Sequence, residues 1–190
     1  MNSHRKPKYS RTIVLDRDGV INQDSSSYIK TAEEWIPIRG SINAVARLHQ
    51  ANYRVIIASN QSGLARGYFD EAALARMHKK MKLMVEDAGG MISAIFYCPH
   101  SPDAGCSCRK PKTGLLERAE NELEISLAGD YFVGDSLKDL QAASSFNMKP
   151  ILVRTGRGRH TEISLPKNIK DKTFTFDDLR SAVNWILKSR

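Results

Sequence analysis

The sequence contains few cysteines, few aromatic residues and no long apolar run, and each shortage excludes a class of protein. Three cysteines in 190 residues are an odd number, so a disulfide framework is not expected and a reducing cytoplasm is the default compartment. No apolar stretch is long enough to cross a bilayer, and residues 1–11 lack the apolar segment of a secretory signal. We therefore expect a cytoplasmic protein with no membrane partner.

Acidic residues are scarce only at the two ends of the chain. The formal net charge is +8, but residues 12–148 carry slightly more acidic than basic side chains. The basic excess lies in residues 1–11 and 149–190, whereas a nucleic-acid-binding surface usually interleaves basic and aromatic residues. We expect no nucleic-acid partner. A zinc-stapled nucleic-acid-binding domain that uses the basic run 156–160 (GRGRH) remains the distant alternative.

Short apolar runs alternate with amphipathic segments along the chain. This pattern predicts an α/β three-layer sandwich with a central parallel sheet, formed by one domain over residues 1–190. Strands are predicted at 12–15, 53–58, 92–97, 131–133 and 151–153. Helices are predicted at 40–52, from Asp70 onward, and at 113–124, 136–146 and 178–188. The segment 155–172 is predicted to be an irregular, mobile surface excursion.

Polar side chains follow four of the predicted strands. They are Asp16 and Asp18, then Ser59 and Asn60, then Cys98 and His100, and finally Gly134 and Asp135. Because ligands of open parallel sheets bind beyond the carboxyl ends of the strands, these groups are expected to surround one site.

Asp16 and Asp18 stand two positions apart, so an extended chain points both carboxylates to the same side. Adjacent carboxylates repel each other, and with Asp135 as a third acid the natural occupant is Mg²⁺. A carboxylate beside Mg²⁺ can attack phosphorus, while the second can protonate the leaving oxygen and later activate water. An acid must be protonated when it acts, so a raised pKa is predicted for Asp18.

All three cysteines and one histidine lie within eleven residues, at Cys98, His100, Cys106 and Cys108. Three thiolates and an imidazole form a closed tetrahedral Zn²⁺ site of the structural type, in a loop of about 98–108. The alternative is three unrelated thiols beside a chance histidine.

Four segments in this order resemble the motifs of the haloacid dehalogenase (HAD) phosphatases. They are 15–22 (LDRDGVIN), 59–60 (SN), 109–111 (RKP), and 133–136 (VGDS) with Asp139 following. The resemblance implies that Asp16 is the nucleophile and Asp18 the general acid and base. It also implies that Ser59 and Lys110 hold the phosphoryl oxygens, and that Asp139 supports the metal site or orients Lys110. The implied Mg²⁺ ligands are Asp16, the Asp18 carbonyl, Asp135 and the backbone of Ser136.

The zinc loop is similar to that of the HAD branch without a large cap domain, which contains the heptose-1,7-bisphosphate 7-phosphatases and the histidinol-phosphatases. The segment 60–67 (NQSGLARG) resembles the heptose branch. The resemblance implies a monomeric Mg²⁺-dependent phosphatase acting on a phosphorylated sugar in nucleotide-activated heptose synthesis for lipopolysaccharide or a surface glycan. Histidinol phosphate or a broader range of sugar phosphates is the alternative substrate.

Without a cap, loops at the strand ends must select the substrate. The candidates are Asp24, Ser25, Ser26, Ser27, Tyr28, Ser59, Asn60, Gln61, Ser62, Arg66, Arg109 and Lys110. A bisphosphate carries a second dianion, which we expect Arg66 or Arg109 to bind. The alternative for Arg66 is a structural contact within its turn.

Overall fold

A six-stranded parallel sheet forms the centre of the molecule. The computed structural model describes residues 9–189 and places the strands in the order β3-β2-β1-β4-β5-β6. The strands are β1 (Arg11–Leu15), β2 (Tyr53–Asn60), β3 (Ala94–Cys98), β4 (Tyr131–Gly134), β5 (Lys149–Val153) and β6 (Phe174–Phe176). The predicted α/β fold with a central parallel sheet is confirmed.

Helices flank the sheet. They are α1 (Ser41–Gln50), α2 (Glu71–Asp87), α3 (Gly114–Leu123), α4 (Leu137–Ser145), α5 (Gly158–Ser164), α6 (Lys167–Lys170) and α7 (Leu179–Lys188), with a short 3₁₀ helix at Pro102–Ala104. Helix α2 begins where the sequence predicts, because the Asp70 carboxylate accepts a 2.7 Å hydrogen bond from the backbone N–H of Ala73. In the described part of the chain, none of the helices has the length and apolar character needed to cross a membrane.

The sheet is buried on both faces, as the alternation of side chains along β1 shows. Ile13 and Leu15 belong to a core with side chains of α1, α2 and α7, whereas Val14 belongs to a second core with side chains of α3 and α4. These three residues of β1 are fully buried. This arrangement is the three-layer sandwich expected from the uninterrupted apolar strands.

The prediction for the segment 155–172 is wrong. The structure contains two short helices there, α5 and α6, and then the additional strand β6, whose Phe174 pairs with Ile151 of β5. These elements are seven, four and three residues long, too short to show a hydrophobic period. Tertiary contacts stabilise them instead, including a 2.9 Å hydrogen bond from the Thr161 hydroxyl to the Asp135 carbonyl.

The basic residues of the segment 1–8 lie outside the described residues. The expectation of no nucleic-acid partner stays a prediction for the whole chain.

Candidate active site

The principal site is a cavity of about 430 Å³ at the carboxyl ends of the strands. Strand β1 lies between β2 and β4, and the chain order of the strands changes direction between β1 and β4. A sheet has its natural crevice at such a switch point. Leu15 pairs with Val133, so the residues that follow both strands, Asp16 and Asp135, are brought together.

Three buried carboxylates form a cluster in this cavity. The carboxylate oxygens of Asp16, Asp135 and Asp139 lie within 4.8 Å of one another. Burial, opposed in part by the charge of Lys110, raises the pKa of Asp16 to about 7. Burial and then the negative charges of Asp139 and Asp16 raise the pKa of Asp135 to about 8. The cluster therefore holds more negative charge than its own surroundings neutralise.

Lys110 supplies the cation within the cluster. Its buried Nζ lies 3.0 Å from Asp16 Oδ1 and 2.6 Å from Asp139 Oδ1, and it donates a 2.7 Å hydrogen bond to the Ala58 carbonyl. Burial alone would lower the pKa of Lys110, but the charges of Asp139 and Asp16 raise it to about 12. Lys110 therefore remains charged beside Asp16.

Asn60 holds the backbone of Lys110 in place. Its Nδ2 donates to the Lys110 carbonyl at 3.1 Å, and its Oδ1 accepts from the Lys110 N–H at 3.1 Å. These two hydrogen bonds occupy the Asn60 side-chain amide and join the end of β2 to the loop that carries Lys110.

The carboxylate cluster fits a divalent cation. Three carboxylates against one ammonium leave two negative charges when all four groups are ionised. Both oxygens of Asp139 are already engaged, Oδ1 by Lys110 and Oδ2 by the N–H and hydroxyl of Ser136. Oxygens of Asp16 and Asp135 remain for a metal, and oxygen ligands of this kind are those that Mg²⁺ prefers. The structure therefore favours the second of the two roles predicted for Asp139, which is to orient Lys110.

Two glycines bring backbone close to Asp135. A Cβ atom added to Gly19 or to Gly156 would lie 2.1 Å from Asp135 Oδ2, and both residues have positive φ angles, of 78° and 56°. The backbone N–H of Arg157 donates to the same oxygen at 2.8 Å. Only glycine fits this close approach without strain, so the two loops fix the position of Asp135.

Asp18 is held as an anion, contrary to the sequence-based prediction. Arg17 Nη2 lies 2.9 Å from both carboxylate oxygens, and Asn22 and Gln61 each donate a hydrogen bond of 2.8 Å. Burial raises the pKa of Asp18, but the charge of Arg17 and these hydrogen bonds outweigh it and lower the pKa. The predicted rise is wrong because the sequence does not show that the Arg17 side chain turns inward, where it is 1% exposed.

Gln61 connects Asp18 to Ser59. Its Nε2 donates to Asp18 Oδ2 and to Ser59 Oγ, both at 2.8 Å, while its Oε1 accepts from Arg17 Nη2 at 3.0 Å. Because the Ser59 oxygen accepts this bond, its hydroxyl hydrogen is left to donate into the cavity.

The cysteine–histidine cluster has the dimensions of a tetrahedral metal site. The Sγ atom of Cys98 lies 3.6 Å from His100 Nδ1 and 3.6 Å from Cys106 Sγ. Cys108 Sγ lies 3.3 Å from His100 Nδ1 and 3.6 Å from Cys106 Sγ. A tetrahedron with zinc–sulfur bonds of about 2.3 Å has edges of about 3.8 Å, so the four side chains fit Zn²⁺. Four protein ligands leave no open position, as in a structural site.

The loop at 98–108 runs directly into the cavity. Arg109 follows the last cysteine, lines the cavity and donates a 3.4 Å hydrogen bond to the His100 carbonyl. Lys112, which sequence reasoning did not single out, donates to the carbonyls of Gly105 and Cys106 at 2.8 Å.

The structure brings most of the remaining predicted residues to the cavity, but not all. Those that line it are Asp24, Ser25, Ser26, Tyr28, Ser62 and Ser136. Ser27 and Arg66 do not line it, and both are exposed. Arg66 instead donates its backbone N–H to the Ser62 carbonyl at 3.1 Å, within the turn after β2.

In the described part of the chain, sequence reasoning missed three cationic residues of the cavity, Arg17, Lys138 and Arg157. Arg17 stands between the two motif aspartates, and that position was the only signal for it. Arg157 Nε lies 2.9 Å from Asp24 Oδ2, but its segment was predicted to be irregular.

Comparisons with known proteins agree with this geometry. A family model described as HAD-hydrolase-like matches residues 107–182. The D-glycero-β-D-manno-heptose-1,7-bisphosphate 7-phosphatase of Pseudomonas aeruginosa is 49% identical over 93% of this chain and 97% of its own. The protein of the same name from Neisseria meningitidis is 44% identical over 94% and 95%.

Two solved structures are also similar over nearly the whole chain. The D,D-heptose 1,7-bisphosphate phosphatase from Bordetella bronchiseptica, complexed with magnesium and phosphate, has a TM-score of 0.89 and 46% identity, over 95% of this chain and 99% of that one. The corresponding enzyme from Burkholderia thailandensis has a TM-score of 0.71 and 38% identity, over 93% and 98%.

Proposed function

This chain belongs to the family of the D-glycero-β-D-manno-heptose-1,7-bisphosphate 7-phosphatases, and we propose that it hydrolyses the C7 phosphate of that sugar. Its activity is that of a Mg²⁺-dependent phosphoric monoester hydrolase of the HAD superfamily. The observation that carries the proposal is the Asp16 carboxylate, which lies 3.0 Å from Lys110 and beside Asp135 at the floor of the cavity.

Asp16 is placed to act as the nucleophile. The Lys110 ammonium and the backbone N–H of Arg17 both contact Oδ1 of Asp16. Among the described residues, Oδ2 of Asp16 therefore has no hydrogen-bond partner. Attack of Oδ2 on the C7 phosphorus forms an aspartyl-phosphate while the bond from phosphorus to the sugar oxygen breaks. Lys110 and the Ser59 hydroxyl stabilise the negative charge on the transferring oxygens.

Asp18 serves the two proton transfers. It protonates the departing sugar oxygen, and as the resulting anion it accepts a proton from the water that attacks the aspartyl-phosphate. That attack releases phosphate and restores Asp16. Arg17 holds Asp18 as an anion in the structure described here, so the acid role requires a proton to be gained on substrate binding. The incoming phosphoryl dianion raises the pKa of a neighbouring carboxyl in this way.

Asp16 and Asp135, with the Asp18 carbonyl and the backbone of Ser136, would hold Mg²⁺. When bound, the ion neutralises charge on the phosphoryl group and helps to orient it. Asp139 keeps Lys110 directed at Asp16 through its 2.6 Å ion pair.

The two arginines predicted to bind the second phosphate differ in position. Arg109 lines the cavity and is a candidate for the second phosphate, whereas Arg66 lies outside the cavity in the turn after β2. The Zn²⁺ site at 98–108 fixes the loop that carries Arg109 and Lys110. We further propose that the protein acts as a cytoplasmic monomer without a nucleic-acid partner, in the synthesis of nucleotide-activated heptose.

Phosphate release with Mg²⁺ tests the proposal. Heptose 1,7-bisphosphate should be hydrolysed with a kcat/KM at least about 100-fold above that of histidinol phosphate, and the Asp16→Asn variant should serve as an inactive blank. A preference for histidinol phosphate, or equal release by Asp16→Asn, would contradict it.

A further inference from the structure

Among the residues that the structure describes, five cationic side chains line the cavity, and they differ in whether a carboxylate already neutralises them. Arg17 and Lys110 are buried and paired, the first with Asp18 and the second with Asp16 and Asp139. These two cations are therefore part of the catalytic site proposed above. The cations left for a second phosphate are Arg109, Lys138 and Arg157.

Arg157 is the one of these three whose guanidinium is oriented by a carboxylate. Its Nε lies 2.9 Å from Asp24 Oδ2, and its side chain is 67% exposed. Within residues 9–189, no acceptor bonds to Nη1 or Nη2. A guanidinium fixed at Nε presents both Nη groups in one plane, and that plane matches two oxygens of a phosphate.

The backbone of Arg157 is held beside Asp135 independently of the Arg157 side chain. Its N–H donates to Asp135 Oδ2 at 2.8 Å, and the neighbouring Thr155 hydroxyl donates to the Gly19 carbonyl at 2.6 Å. The first contact uses the Arg157 backbone and the second uses Thr155, so a change of the Arg157 side chain leaves both in place. The backbone from which the Arg157 side chain extends is thus held beside Asp135.

We propose that Arg157 is a specificity-determining residue that binds the second phosphoryl group of a bisphosphorylated sugar, with Asp24 orienting its guanidinium. This inference rests on the proposed function and names the group that selects a bisphosphate over a monophosphate. Mg²⁺ and Lys110 neutralise only the phosphoryl group being transferred, so the other dianion needs cations of its own at the mouth of the cavity.

The alternative role that the same contact offers Arg157 is to neutralise Asp24 so that an anionic substrate can enter. The two roles predict different outcomes in the Asp24→Asn background. If Arg157 binds phosphate, Arg157→Ala reduces the use of bisphosphate by a similar factor with or without the charge of Asp24. If Arg157 only neutralises Asp24, the Asp24→Asn change removes most of the effect of Arg157→Ala.

The experiment compares kcat and KM on heptose 1,7-bisphosphate and on heptose 7-phosphate, which lacks the second phosphoryl group. Arg157→Ala should raise KM for the bisphosphate about 10- to 100-fold, the loss expected for a charge-assisted contact, with kcat changed far less. The increase in KM for the monophosphate should be at least 10-fold smaller than the increase for the bisphosphate. The KM of Arg157→Lys for the bisphosphate should fall between that of the wild-type protein and that of Arg157→Ala. Arg159→Ala is the matched control, because it removes one exposed positive charge two residues away, outside the cavity.

Three results would overturn the role given to Arg157. They are equal losses of Arg157→Ala on the two substrates, an equal effect of Arg159→Ala, and recovery of bisphosphate use in the Asp24→Asn, Arg157→Ala double variant. A wild-type protein that does not prefer the bisphosphate would instead overturn the proposed function, and the role of Arg157 with it.

Discussion

Magnesium binding should strengthen steeply as the pH rises from 6 to 8. In the absence of a cation, the raised pKa values of Asp16, about 7, and of Asp135, about 8, mean that both carboxyls hold protons at pH 6. A metal must displace those protons, because it binds the ionised oxygens. Protons therefore compete with Mg²⁺ below these pKa values and cease to compete above them, so the affinity for Mg²⁺ rises with pH.

The size of the effect follows from the same two pKa values. If only Asp16 releases a proton, the dissociation constant for Mg²⁺ falls about 10-fold between pH 6 and pH 8. If only Asp135 does so, it falls about 50-fold, and if both titrate independently the fall is about 500-fold. Two carboxylates at unperturbed pKa values near 4 would give almost no change over this range.

Isothermal titration calorimetry of the metal-free protein measures this directly. Titrations at each pH in two buffers of different ionisation enthalpy give both the dissociation constant and the number of protons released per Mg²⁺. We expect one to two protons at pH 6 and fewer at pH 8. A constant affinity with no proton release would refute the reasoning that burial and mutual repulsion hold protons on the cluster.

Three further variants test other parts of the site. Arg17→Met leaves Asp18 as a partly buried carboxylate without its cation, so urea denaturation should show a loss of about 1–3 kcal/mol in the free energy of unfolding, and no measurable loss would contradict the pairing. Cys106→Ser should lower the bound zinc measured by elemental analysis from one ion per chain and raise KM more than it lowers kcat; zinc-free wild-type protein with an intact loop would count against the site. Gly156→Ala places a Cβ against Asp135, so Mg²⁺ affinity should weaken about 10-fold or more by calorimetry, whereas an unchanged affinity would show that the loop yields.

The positions of Asp16 and Asp135 could be predicted from the sequence. Asp16 and Asp135 each follow an apolar run, and parallel strands bring such positions to one edge of a sheet. The zinc ligands could be predicted for a similar reason, because Cys98, His100 and the two later cysteines are close along the chain. In both cases the backbone alone decides which side chains meet.

The charge state of Asp18 and the position of Arg157 at the cavity could not be predicted in this way. The low pKa of Asp18 depends on the inward orientation of Arg17 and on Gln61, which follows strand β2. Arg157 reaches the cavity only because α5 and its preceding loop pack against Gly19 and Asp135. These are tertiary contacts of short segments, for which local propensity carries little information.

The most direct test of the account is the position of the phosphate that remains on the product. Phosphorus-31 NMR of a reaction with Mg²⁺ and heptose 1,7-bisphosphate should show inorganic phosphate and one sugar phosphate whose phosphorus is coupled to the C1 proton. A product that keeps its phosphate at C7, or an unchanged substrate spectrum, would contradict the claim that the Asp16 site removes the C7 phosphoryl group.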